Sequence, residues 1–571
     1  MKKLIYTLPL LLALGACSNE DVTTPAPDDY VGNGESYYLT MDIAVPHTDG
    51  TRSVDDPTTA TLDGTDNEEL IENVTLYILD GDDGTDYDKV LFVVPSASVK
   101  KETAVTGKDA TWTAKFKVEN TATTSALDIA DLVGLAGKDI NLVVACNTNT
   151  NFAYTLDAGS APKFVERSLT SFAAPVGDFI LGTANGTTSS IKGQVLPMTS
   201  VSRYALNAFK NISGETNDKF SQVRKLFDTL EENAWVYKVN ENSGIDVERA
   251  VARLDIKDKT ANWDYSITGD DATTFKLHMY SVQPVNVNKK SYLFRHRAAG
   301  SATEATGDIE IFSLSSTSSD VTTWIADPTW GIKQSASPYY LKTNSAANFI
   351  NPLTTTTSTT PNLKAYTVNG TDGIMLTSGT TKPYIQDADR TQDGYYAWCY
   401  VTENTIPSTA MMQLSSTQTS DGPTYATDAV LAKYGTAVAF RFQMYDNTGT
   451  SVITSSTTAD KLPPEMLATY DQGKITKLTI TMPQSGKYME LEPENDAEGN
   501  IFLTYYGFIN HNNSSAGTID DNKYGVVRNN IYQLMVDEIK NLPFPEDPRD
   551  YFLKLNINVL KWEKRVNNFK F

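Results

Sequence analysis

The chain has 571 residues and carries a formal net charge of −22 at pH 7. Because so acidic a surface repels polyanions, nucleic acid and anionic lipid are excluded as partners. The length corresponds to two to four domains, of which we favour two. Abundant Thr, Ser, Asn, Tyr and Val, together with 24 prolines and 34 glycines, predict a mainly β fold with few short helices.

The N-terminus has the pattern of a signal peptide. Lys2 and Lys3 precede an apolar run over residues 4–14, which is too short to span a bilayer but has the length of a signal-peptide core. The following Leu-Gly-Ala-Cys sequence, which ends at Cys17, resembles the lipobox of bacterial lipoproteins. That resemblance implies removal of most of residues 1–17 and lipidation of Cys17; the alternative is an ordinary secretory peptide with a chance cysteine.

Residues 18–52 are interpreted as a propeptide that contains one strand. A polar tether at 21–34 leads into an alternating segment, 37–45, whose apolar positions predict a half-buried strand. Those positions on the strand are Leu39, Met41, Ile43 and Val45. A polar stretch at 46–65 follows, and we expect Arg52 and Ser53 to lie there in a loop that a protease can enter, the alternative being a solvated charge.

The body of the chain is a series of predicted strands. Alternating or continuous apolar runs predict strands at 74–79, 90–94, 111–118, 140–145, 276–282, 395–401, 437–444 and 474–482. One helix is predicted around Phe220 and Leu230, with Asn217 and Asp218 as its caps. The aspartate-rich segment 80–84 lacks the spacing of an EF-hand loop and is interpreted as a hairpin tip, so no metal site is expected.

We place a domain boundary before Val247, which gives an N-terminal domain at 53–246 and a C-terminal domain at 247–550. Cys146 and Cys399 are interpreted as separate buried thiols, with a disulfide as the alternative that an exported location permits.

The last segment, 551–571, forms a separate predicted unit. Leu553, Leu555, Ile557 and Val559 alternate with polar residues, as in a half-buried strand. The segment holds five basic side chains and one acidic one. A terminal strand with unpaired backbone groups adds readily to a sheet edge, so the pattern favours polymerisation by strand donation.

Four segments resemble those of one protein family. Residues 247–256 resemble its VER-x-x-AR segment, 400–405 its Y-x-x-EN strand end, 525–532 its VVRNNIY element and 559–562 its VLPW sequence. With the lipobox in front of them, they make the chain similar to the Mfa1/FimA-type fimbrillins of Bacteroidetes, the shaft subunits of type V pili, and most similar to the Mfa1 type.

This resemblance implies two tandem transthyretin-like β-sandwich domains and assembly by donor-strand exchange. Such subunits reach the outer membrane as lipoproteins, and an Arg-specific surface protease then removes the lipid and the first strand. The groove left behind accepts the C-terminal region of a neighbouring copy, so that head-to-tail addition of copies and other pilus subunits builds a fimbrium on the cell surface.

Carried over to this chain, the resemblance assigns a role to several residues. Cleavage would fall between Arg52 and Ser53, and the strand at 37–45 would be lost. The donated strand would use Val566, Phe569 and Phe571 as apolar plugs. The charged residues 563–565 depart from the family pattern and leave the start of the donated strand open.

Three other functions remain open on the sequence. An enzyme is not expected, because the four histidines occur in none of the usual catalytic or metal-binding motifs, and no cofactor is expected. A glycan-binding surface lipoprotein would share the lipobox and the aromatic content, with Trp235, Trp263, Trp324, Trp330 and Trp398 as a sugar platform. A tip or anchor subunit of the same pilus is the nearest alternative.

Overall fold

The structure is a computed structural model, and it describes part of the chain. The described residues are 36–45, 61–63, 68–81, 89–102, 111–119, 127–148, 167–168, 173–175, 195–201, 203–228, 234–237, 244–257, 259–260, 263–267, 274–288, 290–292, 294, 296–298, 309–311, 324–326, 330–332, 339–341, 349–350, 367–368, 371–372, 374–375, 395–405, 411–412, 424–425, 435–482, 486, 488–511, 525–539, 542–543 and 553–563.

The first half of the chain contains strands and three helices among these residues. In chain order they are β1 (Ser36–Ala44), β2 (Thr61–Asp63), β3 (Val74–Asp80), β4 (Lys89–Pro95), β5 (Ser98–Lys101), β6 (Thr111–Glu119), α1 (Ile129–Gly134), β7 (Ile140–Cys146), β8 (Arg167–Ser168), β9 (Ala173–Pro175), β10 (Met198–Ser200), β11 (Tyr204–Ala205), α2 (Asn207–Lys210), α3 (Thr216–Asp228), β12 (Ala234–Tyr237) and β13 (Ile245–Arg249).

The second half is described as strands and one short 3-10 turn at Ala459–Lys461. Its strands are β14 (Val251–Lys257), β15 (Asp264–Ser266), β16 (Lys276–Val285), β17 (Val287–Asn288), β18 (Lys290–Tyr292), β19 (His296–Ala298), β20 (Ile309–Ile311), β21 (Trp324–Ala326), β22 (Trp330–Ile332), β23 (Tyr339–Leu341), β24 (Phe349–Ile350), β25 (Thr367–Val368), β26 (Thr371–Asp372), β27 (Ile374–Met375), β28 (Tyr396–Thr402), β29 (Asn404–Thr405), β30 (Met411–Met412), β31 (Thr424–Tyr425), β32 (Ala437–Met444), β33 (Met466–Asp471), β34 (Lys474–Thr481), β35 (Tyr488–Leu491), β36 (Phe502–Phe508), β37 (Gly525–Val526), β38 (Asn530–Ile539) and β39 (Leu553–Glu563).

The mainly β class predicted from the sequence is confirmed. The longer alternating runs are strands within a few residues of their predicted ends, and β32 has the predicted bounds. The helix α3 begins at Thr216, so Asn217 and Asp218 lie inside its first turn rather than at its cap. Asp218 there still interacts favourably with the helix dipole.

A large sheet carries the first hydrophobic core. Its strand order is β5-β6-β1-β13-β10-β7-β3-β4-β8, with β12 also paired to β1 and β11 to β7. The core beneath it, which we call the first core, takes buried side chains from these strands and from α1, α2 and α3. One example is the pair Val144 of β7 and Phe220 of α3, both fully buried. The helices therefore cover one face of the sheet.

Two further sheets share a second core. One has the order β2-β39-β38-β14-β28, and the other has the order β15-β16-β32-β36. Buried side chains from both sheets, and from the small sheet β33-β34-β35, form one hydrophobic cluster, which we call the second core. The two sheets therefore pack face to face, as in a β-sandwich.

The chain passes from the first core to the second within the segment that was predicted to open the second domain. Residues 245–257 form two strands, β13 and β14, with Ala250 between them. Val247 of β13 lies in the first core, and Val251 of β14 lies in the second.

Among the described residues, no helix is long and apolar enough to cross a membrane.

Candidate functional site

The leading strand β1 is an interior strand of the large sheet. It pairs antiparallel with β6 along its whole length, from Ser36 opposite Glu119 to Ala44 opposite Thr111. Its other edge pairs parallel with β12 and then with β13. Removal of β1 would therefore open a gap between β6 on one side and β12 with β13 on the other, and each of these three strands would lose a hydrogen-bonding partner.

The apolar side chains of the leading strand are part of the first core. Leu39, Met41, Ile43 and Val45, the residues predicted for the strand that is lost, are at most 2% exposed, and so is Tyr37. Tyr37 packs against Phe227 of α3 with ring centroids 5.3 Å apart. Each such side chain contributes about 1.5–3 kcal/mol when buried. The gap left by β1 would thus be an apolar groove.

Gly244, which directly precedes β13, lies against the backbone of the leading strand. A Cβ atom at this position would lie 2.6 Å from the carbonyl carbon of Asp42, closer than real Cβ contacts come. A glycine here lets the two backbones approach. Any strand that occupies the groove must meet this same surface.

The C-terminal strand β39 belongs to the sheet of its own chain. It pairs antiparallel with β38, from Leu553 opposite Ile539 to Lys561 opposite Asn530. At its end it pairs parallel with β2, where Thr61 lies opposite Lys561. The predicted polar stretch at 46–65 thus contains a short strand that sequence reasoning missed.

Several predicted site residues lie outside the described part of the chain. They are Cys17, Arg52, Ser53, Val566, Phe569 and Phe571.

Glu68 sits at a buried ionic junction between the two cores, formed with Arg249, Arg253, Asp255 and Tyr400. Its carboxylate accepts hydrogen bonds from Nη1 of Arg253 at 3.0 and 3.1 Å and from the Tyr400 hydroxyl at 2.6 Å. Arg253 also donates to both carboxylate oxygens of Asp255, at 2.8 and 3.0 Å. Arg249 donates from Nε to the backbone carbonyl of Glu68 at 3.1 Å.

The charges of this ionic junction persist at neutral pH. Burial lowers the pKa of Arg249 to about 10, although the carboxylates of Glu68 and Glu69 oppose this shift. Burial also acts to lower the pKa of Arg253, but Asp255 and Glu68 outweigh it and raise that pKa. Burial and the Glu68 carboxylate together raise the pKa of Tyr400 well above its usual value. Both guanidinium groups are therefore protonated and Tyr400 is neutral at pH 7.

The sequence segments singled out by resemblance meet near this junction. Asn529 has a left-handed backbone with φ of 58°, and its side-chain oxygen accepts from the backbone N–H and Nη1 of Arg249, each at 3.3 Å. Arg528 donates from Nε to Glu403 at 2.9 Å, and both side chains are fully buried. The three motifs at 247–256, 400–405 and 525–532 thus form one buried polar network.

Sequence reasoning missed Glu68, although this residue contacts Arg249, Arg253 and Tyr400 of those motifs. It lies in an acidic run without strand periodicity, which is the usual appearance of a solvated loop. No local signal distinguishes it from Glu69 or Glu72, because its partners are 181 to 332 residues away in the sequence.

The residues considered for other functions have structural partners where the structure describes them. Of the four histidines, side chains are described for His278, whose Nδ1 lies 3.0 Å from Asp264, and for the buried His511, which contacts the hydroxyl of Tyr532. Trp263 packs against the second core. Cys146 is a buried free thiol. No cluster of metal-ligating side chains occurs in the described ranges.

Part of the chain matches one family of known proteins. Residues 500–568 match the family model for the C-terminal part of fimbrillin, the type IV major fimbrial subunit protein. This match covers β36, β37, β38 and β39. No curated protein matches the chain.

The chain is also similar to several solved structures. The tip fimbrial protein Mfa3 of Porphyromonas gingivalis, with a C-terminal truncation, is 10% identical, and the match covers 92% of this chain and 100% of that one with a TM-score of 0.32. A candidate cell adhesion protein of Parabacteroides distasonis is 11% identical over 93% and 100% of the two chains, with a TM-score of 0.37. Another from Bacteroides eggerthii is 12% identical over 93% and 98%, with a TM-score of 0.35.

Proposed function

We propose that the chain is a structural subunit of a surface fimbria, and that it polymerises by exchange of its leading strand for a strand of a neighbouring copy. The observation that carries this proposal is the position of β1, an interior strand whose apolar side chains fill the first core and which lies N-terminal to Arg52. The match of residues 500–568 to the fimbrillin family supports it. In this proposal the subunit belongs to the shaft and is of the Mfa1 type, with two transthyretin-like domains.

Arg52 suits the role of a single processing point. It is the only lysine or arginine between Lys3 and Lys89, so an Arg-specific surface protease finds one target in that interval. Cleavage there separates residues 17–52, which include β1 and the lipidated Cys17, from the rest. The subunit then loses its membrane anchor and opens its groove in one step.

Residues 564–571 are long enough to fill most of that groove. This segment, which comes after Glu563, has eight residues. In an extended conformation they span about 26 Å, against about 30 Å for the nine residues of β1. Phe569 and Phe571 share one face of such a strand, whereas Val566 would need a bulge to join them.

Either chain direction is compatible with the groove. Its two edges, β6 on one side and β12 with β13 on the other, run in opposite directions. An incoming strand therefore gains one antiparallel and one parallel neighbour in both orientations. Each subunit offers one groove and one strand, and a head-to-tail joint of this kind gives an open filament.

The test is the Arg52→Ala variant, with Arg52→Lys as a control that keeps the charge. We expect wild-type protein from cell surfaces to begin at Ser53 and to form SDS-resistant ladders. Both variants should remain monomeric surface lipoproteins, because β1 still occupies its own groove. Ladders from Arg52→Ala at the wild-type level would refute the proposal.

A further inference from the structure

The leading strand holds tightly to the first core, and cleavage alone does not change that. Both of its edges are hydrogen-bonded, and six apolar side chains from Tyr37 to Val45 are at most 2% exposed. A cut at Arg52 breaks a peptide bond and none of these contacts. The rate at which β1 leaves the groove after cleavage therefore also depends on whether its polar side chains find hydrogen-bond partners there.

Thr40 is the position where the fit is poor. Its side chain is only 6% exposed, and its hydroxyl has no hydrogen-bond partner among the described residues. It lies opposite Lys115 of β6 and Val236 of β12 in the sheet register. A buried hydroxyl that has lost its water and gained no partner destabilises the state in which it is buried.

Asp42, the other polar residue on this part of the strand, does not share this defect. Its Oδ1 accepts a hydrogen bond from the Thr113 hydroxyl of β6 at 3.2 Å, and the side chain is partly exposed. Its carboxylate therefore keeps both a partner and contact with water. The mismatch is confined to Thr40.

We propose that Thr40 sets the rate at which the leading strand leaves its groove after cleavage, an inference that rests on the proposed function. When β1 departs, the Thr40 hydroxyl regains water, and this gain offsets part of the cost of exposing the apolar side chains. Thr40 thus weakens the leading strand as an occupant of the groove without altering its apolar face. It acts through the stability of the precursor and takes no part in the cleavage itself.

The experiment replaces the hydroxyl by a methyl group of the same shape. Full-length wild-type precursor and the Thr40→Val variant are cut with an Arg-specific protease, and release of the N-terminal peptide is followed by native mass spectrometry. We expect Thr40→Val to be cut at the wild-type rate and to release the peptide about tenfold more slowly. Thr40→Ser, which retains the hydroxyl, should not slow the release.

Thr199 of β10 provides a matched control. It is fully buried in the same sheet, and in the described part of the chain its hydroxyl also has no partner, but it remains in the subunit after processing. Thr199→Val should raise the melting temperature of both the precursor and the cleaved subunit and leave the release rate within twofold of wild type.

Two outcomes would overturn this inference. Equal release rates for wild type and Thr40→Val would overturn it alone, since strand exchange itself would still occur. Retention of the peptide by cleaved wild-type protein, without ladders, would overturn the proposed function as well.

Discussion

At the scale of single residues, Glu68 joins parts of the chain that are far apart in sequence. Its carboxylate and backbone carbonyl are bonded to Arg249, Arg253 and Tyr400, and its side chain is fully buried. Arg249 belongs to β13, in the sheet of the first core. Arg253 of β14 and Tyr400 of β28 belong to a sheet of the second core. The polar contacts of Glu68 thus connect the sheet of the first core to a sheet of the second core.

Glu68→Ala should lower the free energy of unfolding by about 3 kcal/mol. Removing one partner of a buried ion pair leaves the other insufficiently compensated, and here Arg253 would lose the Glu68 carboxylate and keep that of Asp255. Glu68→Gln, which preserves an acceptor for the Tyr400 hydroxyl, should cost less. The measurement is chemical denaturation of the precursor.

Glu72 is the control for this prediction, because its side chain is exposed. Glu72→Ala should change the free energy of unfolding by about 0.5 kcal/mol or less. If Glu68→Ala were no more destabilising than Glu72→Ala, the ionic junction would contribute nothing to stability.

The role of Glu68 could not be predicted from the sequence. Its neighbours in the chain have no periodic pattern, and the residues that neutralise it follow almost two hundred positions later or more. The arginines of the 247–256 segment were noticed only through a resemblance. Burial of a charge depends on which distant segments meet, and local spacing carries no such information.

At the scale of secondary-structure elements, strands with strict alternation were predictable. The alternating segments at 37–45 and 553–559 correspond to β1 and β39, because one face of each is apolar and the other is polar. β2 was missed because three residues cannot show a period. The break at Ala250 between β13 and β14 has no local sequence signal, because both strands are largely buried and no Gly or Pro separates them.

Deleting residues 566–571 should stop filament growth and leave the subunit folded. β39 ends at Glu563, so its pairing with β38 and β2 does not involve the deleted residues. The expected result is an unchanged circular-dichroism melt together with the loss of SDS-resistant ladders. Ladders that persist would place the donated strand elsewhere, and a collapsed melt would make these residues part of the subunit's own fold.

A single charge on the apolar face of the donated strand should also stop filament growth. Phe569→Asp puts a carboxylate into an apolar groove, at a cost of several kcal/mol unless it is neutralised. Asn568→Asp adds the same charge on the opposite face of the strand and should preserve the ladders. Equal loss of ladders in both variants would indicate a general charge effect instead of insertion.

At the scale of the whole molecule, the proposed function places the lipidated Cys17 and the leading strand on the same side of the proposed processing point. Residues 1–52 carry both Cys17 and β1, while the first described residues after Arg52 form β2 in the second core's sheet. Loss of the anchor and opening of the groove are therefore one event in the proposed function. A subunit that is still attached to the membrane cannot accept a neighbour.

Cys17→Ala should abolish surface filaments and leave soluble precursor inside the envelope. In the lipoprotein interpretation, export then lacks the acyl group that it requires. The fold should be unaffected, because residue 17 lies far before β1 in the sequence. The measurement is cell fractionation combined with electron microscopy of the cell surface. Ser18→Ala is the control, and normal filaments from Cys17→Ala would contradict the lipoprotein interpretation.

The pairing of β39 with β38 also decides how the subunit would withstand traction. If residues 564–571 are seated in a neighbour, a pull on the filament enters at Glu563 and acts along the axis of β39. The ladder to β38 extends from Leu553 to Lys561 parallel to that pull, so it is loaded in shear. Its hydrogen bonds must then yield together, whereas a ladder that is peeled from one end loses them one at a time. In a cell attached by such filaments in flowing liquid, β39 would therefore be oriented to resist the load.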